Sequence, residues 1–209
     1  CGFNEILNNS LTAEAYYTGL TTYPAANCVK LLNPLSNDLC VMRQTLLFGG
    51  LESIAHNVNR KANDLAFYEF GNVYFFNPEA GQTDGNTLAP FSEGARLALW
   101  MTGNSRTGNW ARPAEEATFF DLKAMVANIF ARLGITEKEL SWEKLTGNDI
   151  FSAALEIRTR SGKTLGEAGL IAKTMLAKCD IKQPVAYAQL DWDALVKLAV
   201  KKKVQFTPL

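Results

Sequence analysis

Apolar positions along this chain follow two rhythms. Leu47, Leu51, Ile54, Ala55 and Val58 recur at three- and four-residue spacing, with Glu52, His56, Asn57, Asn59 and Arg60 on the opposite side. That pattern predicts a helix over about residues 46–60. Gly49-Gly50 near its start weakens helix propensity by about 1 kcal/mol per residue relative to alanine. The pair therefore points to close backbone packing there, or to a helix that begins at Gly49. A second helix is expected over 119–133, with Leu122, Val126, Ile129 and Leu133 inward and Gly134 as its stop. Shorter helices are expected over 173–179 and 192–200, the last capped by Asp191.

A period of two marks the strands. From Ala66 to Phe76, Tyr68, Phe70, Asn72, Tyr74 and Phe76 share one face, and Phe67, Glu69, Gly71, Val73 and Phe75 share the other. Aromatic rings on both faces predict a central strand covered on both sides. Further strands are expected at 3–11, 29–32, 96–101, 140–144, 153–159, 164–171 and 185–190, with Ser161-Gly162 closing a hairpin. A helical turn is expected over 13–20. Pro34 holds Asn33 extended and ends the 29–32 strand, and Ser36, Asn37 and Asp38 supply turn chemistry. Residues 77–94 and 103–113 read as long loops. Strands and helices joined by hairpin-type links give an α+β fold, a largely antiparallel sheet flanked by helices. Residues 1–200 read as one domain and 201–209 as the start of a linker.

Composition narrows the function. The chain has 209 residues and balances 21 basic against 21 acidic side chains, so it lacks the broad basic footprint of a polyanion-binding domain. Four cysteines, none in a C-x-x-C pair, make a disulfide framework a poor reading and fit reduced thiols in a cytosolic protein. His56 is the only histidine, too few for a Cys/His zinc site. No apolar run approaches the length of a membrane span, and the first residues lack the pattern of a signal peptide. The chain opens without methionine and ends on Thr207-Pro208-Leu209, which reads as a piece of a longer protein.

Several motifs then occur in order. They are Asn33-Pro34-Leu35-Ser36, Met42-Arg43 followed by Leu46-Leu47, Asn57-Val58-Asn59-Arg60, and the run Tyr68 to Tyr74, YEFGNVY. Gly2-Phe3-Asn4-Glu5, Phe119-Phe120-Asp121-Leu122-Lys123, Leu165-Gly166-Glu167-Ala168-Gly169 and the stretch from Pro184-Val185 to Asp191-Trp192 support them. Together they resemble the β subunit of bacterial phenylalanine–tRNA ligase, in its catalytic-like core related to class II aminoacyl-tRNA synthetases. One departure is Phe151-Ser152-Ala153, where many members carry His-Pro-Gly. The resemblance implies a cytoplasmic heterotetramer of two α and two β subunits. In it the α subunit activates phenylalanine with ATP and magnesium and loads it on tRNA(Phe). It also implies that the β core is an inactive relative packed against α, followed by a ferredoxin-like anticodon-binding domain.

The residues themselves argue against chemistry in this stretch. An active class II core neutralises ATP phosphates with arginines. In the family's F-R-x-E pattern one arginine follows the long strand, and here Phe75 stands at that position. The late G-x-G-x-x-R motif has no counterpart. No catalytic residue, metal ligand or cofactor site is therefore assigned, and ATP and magnesium belong to the whole enzyme. Asn33, Pro34, Met42, Arg43, Asn59, Arg60, Glu69 and Gly71 stand as structural or interface candidates. Glu69 beside Phe67 and Val73 has an acid reading, but a structural anion bonded to Arg43, Arg60 or backbone N–H groups is favoured. Arg43 reads better as half of a structural pair than as a phosphate ligand, and Arg60 as a charge complementing the helix dipole. His56 has no nucleophile beside it and reads as a surface partner of Glu52. Gly103–Gly108 and Gly162-Lys163-Thr164 imitate phosphate loops without their defining residues. Lys201-Lys202-Lys203 reads as a solvated face. The expected role is a scaffold for α, with the contact sought on the 46–60 helix and the two long loops. The alternatives are a core that itself binds ATP or an amino acid, direct tRNA contact, and a tRNA- or small-ligand-binding α+β module outside the synthetases.

Overall fold

The computed structural model describes residues 2–80 and 88–200. Strands β1 (Asn4–Glu5), β2 (Leu11–Thr12) and β3 (Val41–Met42) precede helix α1 (Leu47–Val58). The long strands β4 (Leu65–Phe76) and β5 (Phe91–Thr102) follow, then β6 (Asn104–Arg106), β7 (Glu115–Glu116) and helix α2 (Phe119–Arg132). The rest comprises β8 (Leu140–Lys144), β9 (Phe151–Thr159), β10 (Thr164–Ile171), α3 (Lys173–Lys178), β11 (Val185–Asp191) and α4 (Trp192–Ala199). A 7-stranded sheet of order β1-β4-β5-β11-β10-β9-β8 forms the centre, antiparallel at every pair except β1 with β4. The expected α+β architecture is the observed one.

Each sheet face has its own core. On one, α1 packs Leu47, Leu51 and Ile54 against Phe67, Trp100 and Tyr187. On the other, α2 and α4 pack Leu122, Val126, Phe130 and Leu195 against Leu97, Leu99, Ala188 and Leu190. Gly50 explains why the glycine pair is tolerated in α1: a Cβ there would stand 2.1 Å from Trp100 Cε2. The missing side chain lets the helix backbone lie directly on the indole. Helix α2 starts on a capping box, Asp121 N donating to Thr118 Oγ1 at 3.3 Å and Thr118 N donating to Asp121 Oδ2 at 2.8 Å. Helix α4 starts where Ala194 N donates to Asp191 Oδ1 at 2.9 Å.

Five expectations change. The 3–11 strand shortens to β1, because Asn8 leaves the sheet line to bond Glu69 and Asn9 Oδ1 accepts from Leu11 N in a local turn. The 29–32 strand reduces to a single bridge between Lys30 and Val41, since the chain beyond Leu31 swings into solvent toward Pro34. The strand expected at 96–101 begins at Phe91, because β4 continues to pair through Phe75↔Ser92 and Phe76↔Phe91 where β5 has lost its apolar rhythm. Most of the expected 77–94 loop is therefore strand or lies outside the described residues. Finally, β4 is next to the sheet edge, not central. Its odd face is buried at Phe67, Glu69 and Val73, whereas Phe70 on the even face is 42% exposed.

Candidate functional site

The odd face of β4 holds a buried ion pair. Arg43 follows β3 directly and reaches across the strand, where Nη1 donates to Glu69 Oε1 at 2.7 Å. Nε donates to the carbonyl of Asn72 at 2.9 Å, and the backbone carbonyl of Arg43 accepts from Tyr74 N at 2.9 Å. One residue thus closes the strand edge that β1 leaves uncovered. Asn8 saturates the other carboxylate oxygen, Nδ2 donating to Glu69 Oε2 at 2.7 Å. Gly71 makes the arrangement possible: a Cβ there would lie 2.2 Å from Arg43 Nη2.

Further along the same face, strand register aligns acids across the sheet. Glu143 pairs with Glu156, Glu156 with Glu167, Glu167 with Gln189, Gln189 with Ala98 and Ala98 with Glu69. Residues directly opposite in a sheet share a face. Arg158 bonds Glu156 at 2.7 Å and Arg96 approaches Asp191 to 3.4 Å, so both arginines, like Arg43, are already paired. The Arg158 hydrogen bond holds the Glu156 carboxyl below its ordinary range. Burial pushes Glu167 up to about 7, opposed by the hydroxyl of Tyr23 and reinforced by Glu156.

Gln189 is the hub that fixes the N-terminal segment to this face. Its Oε1 accepts from Thr45 Oγ1 at 3.0 Å, from Leu46 N at 3.0 Å and from Tyr187 Oη at 2.9 Å. Its Nε2 donates to Tyr23 Oη at 3.3 Å, and Tyr23 Oη donates to Glu167 Oε1 at 3.4 Å. Burial raises the Tyr23 and Tyr187 phenols above their usual range, so both stay neutral. The space left over this network is a cleft of about 200 Å³ lined by Tyr23, Arg96, Glu156, Glu167, Gln189 and Asp191. That is below the roughly 300–1,000 Å³ of small-molecule sites. Three carboxylates against one guanidinium make it a poor place for a polyphosphate. The residues do not fit ATP, and among the described residues no cluster of three or more His, Cys, Asp or Glu could hold a metal ion.

Among the candidates read from the sequence, the structure brings Arg43, Glu69 and Gly71 together and leaves the rest apart. Met42 lies in β3, its N–H donating to Val29 O at 2.9 Å. Asn33 and Pro34 sit on an exposed turn, flanked by Leu32 and Leu35. Asn59 caps α1, and Arg60 donates to His56 O at 3.0 Å, so Arg60 is not a partner of Glu69. Nor does His56 pair with Glu52, whose Oε1 instead accepts from Tyr16 Oη at 2.6 Å. That phenol lies above the helix and offers a shorter bond than an exposed imidazole one turn away. The lysine run 201–203 lies outside the described residues. Asn8, Tyr23, Thr45, Glu167 and Gln189 were missed. The signal that could have exposed part of the set is the polar alternation Tyr187, Gln189, Asp191 in an otherwise apolar strand. The other sheet face has an apolar groove of about 620 Å³, lined by Phe70, Leu97, Ile129, Leu133 and Trp192 among others.

Comparison with known proteins gives a consistent answer. A family model described as the phenylalanyl tRNA synthetase beta chain CLM domain matches residues 1–192. The phenylalanine–tRNA ligase beta subunit of Bacteroides fragilis is 52% identical over 206 residues, covering 99% of this chain and 25% of that protein. The beta subunit of Porphyromonas gingivalis is 45% identical over 204 residues, 98% of this chain and 25% of that protein. The chain thus spans about a quarter of the length of the curated relatives it matches. Among solved structures, pyrrolysyl-tRNA synthetase from Desulfitobacterium hafniense superposes with a TM-score of 0.67 at 11% identity, covering 96% of this chain and 64% of that one. That likeness gives the class II synthetase fold.

Proposed function

The chain belongs to the phenylalanyl-tRNA synthetase beta-chain family, and we propose that it serves there as a noncatalytic class II core that positions a separate catalytic α subunit. The observation that carries this reading is the sheet face that runs from β4 through β5, β11 and β10 to β9. Where an adenylate-forming core needs free cations, this face carries Glu69, Glu156, Glu167 and Asp191, and Arg43, Arg96 and Arg158 are each engaged by a carboxylate. The resemblance also sets Phe75, which lies within β4, in the place of an arginine of the active class II core. In the whole enzyme, ATP, magnesium, phenylalanine and tRNA(Phe) are then handled elsewhere, in a cytoplasmic assembly of two α and two β subunits. The domain assignment of residues 1–200, with 201–209 leading toward an anticodon-binding domain, belongs to the same proposal. Among the described residues no helix is long and apolar enough to cross a membrane.

Co-expression of the full-length β chain with its α subunit tests the reading. The expected result is a stable complex whose phenylalanylation kcat is unchanged by Glu156→Gln in β. A kcat loss of a hundredfold or more at unchanged assembly would place the chemistry in this chain instead.

A further inference from the structure

Glu167 lies under two irregular pieces of chain that clasp each other at the rim of the cleft. One is residues 21–23, the other the 146–149 loop after β8. Each reaches one oxygen of the carboxylate: Tyr23 Oη donates to Oε1 at 3.4 Å and Asn148 Nδ2 to Oε2 at 3.3 Å. The two pieces hold each other more closely. Thr21 N donates to Asp149 Oδ2 at 2.6 Å, Thr22 N to Asp149 Oδ1 at 3.2 Å, and Asp149 N to Thr22 Oγ1 at 3.2 Å. Both bonds to Glu167, and that from Gln189 Nε2 to Tyr23 Oη at 3.3 Å, are longer than ordinary hydrogen bonds. The fixed ends are the buried Leu20 and Ile150, and Pro24, whose carbonyl accepts from Gln44 Nε2 at 3.0 Å. Gly147, at φ 73°, would meet nothing within 4 Å of an added Cβ, so the loop has room to turn.

No cation offsets the carboxylate beneath. Among the described residues Glu167 makes no ion pair. Glu156 of β9 stands directly opposite it, with Glu143 of β8 beyond. Asp191 of β11 and Arg96 of β5 share the cleft, but Arg96 is held by Asp191, and Arg158 of β9 by Glu156. Within the clasp Asp149 is engaged by threonines and faces Lys178 of α3, whose amine donates to Tyr16 O at 2.7 Å and Thr18 O at 3.3 Å. An ionised Glu167 therefore finds only neutral donors, a like charge across the strand pair, and little water. Burial opposes that ionisation and raises the carboxyl to about 7. Lifting the clasped pieces admits water to the charge. The open form thus gains on the closed one as pH rises from the ordinary 4.5 to about 7.

We propose that residues 21–23 and 146–149 form a strap over the acidic cleft, closed while Glu167 is protonated and lifted from the sheet as one unit when it ionises. Methyl NMR of the full-length β chain, with labelled Thr, Leu and Val side chains and a neutral gadolinium chelate as the probe of solvent contact, tests it. From about pH 5.5 to about pH 8.5 the open-to-closed ratio rises roughly 30-fold, half of the rise being reached near 7. The expected reading is faster relaxation of the Thr21, Thr22 and Leu145 methyls with one shared midpoint, while Val126 in α2 stays unchanged. Glu167→Gln keeps the low-pH values throughout. The carboxyl carbon of Glu167 titrates with the same midpoint in the wild type, which decides the matter even where the variant fails to fold. Relaxation independent of pH, a rise that persists in Glu167→Gln, separate midpoints for the two pieces or for the Glu167 carboxyl, or an equal rise at Val126 each overturns the strap.

Discussion

Arg43 and Glu69 are 26 residues apart in sequence and joined at 2.7 Å in the fold, with both side chains almost wholly out of water. The pair fastens the segment entering α1 to the strand beyond it, and it occupies the guanidinium that a phosphate site on this face would need. Removing one partner strands a buried charge. Glu69→Ala is expected to lower the unfolding free energy by about 3–5 kcal/mol, and a Met/Leu replacement of both residues by much less. Urea titration checks both, and a single-variant loss under about 1 kcal/mol would mean that the pair is not holding the segment.

Glu167 predicts a pH dependence. Its carboxyl in the folded chain is raised from an ordinary 4.5 to about 7, so between those values the native state binds more protons than the unfolded one. The contribution is therefore fully present at acid pH and is lost as pH rises through about 7. Glu167→Gln keeps the neutral shape and removes the penalty. It should be more stable than the wild type at pH 8 by up to about 3 kcal/mol, with the difference vanishing near pH 4.5. Equal stability of the two proteins at pH 8 would contradict the burial argument.

Gly50→Ala tests the contact between α1 and the sheet. A methyl group there meets the Trp100 ring at 2.1 Å, so the helix must lift. A loss of about 1–3 kcal/mol or more is expected, despite alanine being the better helix former. Thermal unfolding with a blue- or red-shifted tryptophan emission would report the displacement, and a stabilised variant would argue against the close approach.

Gln189→Leu leaves Thr45 Oγ1, Leu46 N and Tyr187 Oη without their shared acceptor. Thr45 Oγ1 and Tyr187 Oη lie 3.2 Å apart and can still bond each other, so the stranded Leu46 N–H and the lost bonds are expected to remove about 1–3 kcal/mol of stability. Hydrogen exchange localises the effect: the Leu46 amide should lose protection while amides in α2 keep theirs.

Much of the fold was legible from periodicity. The α2 boundaries, the β9–β10 hairpin and the Asp191 cap followed from local pattern, because in each case the apolar period and the turn chemistry agree. The errors arose where tertiary contact decides. Asn8 leaves the β1 line because Glu69, far along the chain, offers it a better partner than the sheet edge does. The strand β5 gains its first residues from pairing with β4, although Ser92 and Gly94 carry no strand signal of their own. The site divides in the same way. Arg43 and Glu69 could be named from their motifs, and Gly71 too. The acid row could not, since it exists only once five strand pairings put Glu143, Glu156, Glu167 and Glu69 in line.

Calorimetric titration of this chain with MgATP and with L-phenylalanine tests the absence of a working site most directly. No saturable heat is expected for either ligand, because Arg43, Arg96 and Arg158 are already held by carboxylates. Stoichiometric binding of ATP at micromolar concentration would contradict it.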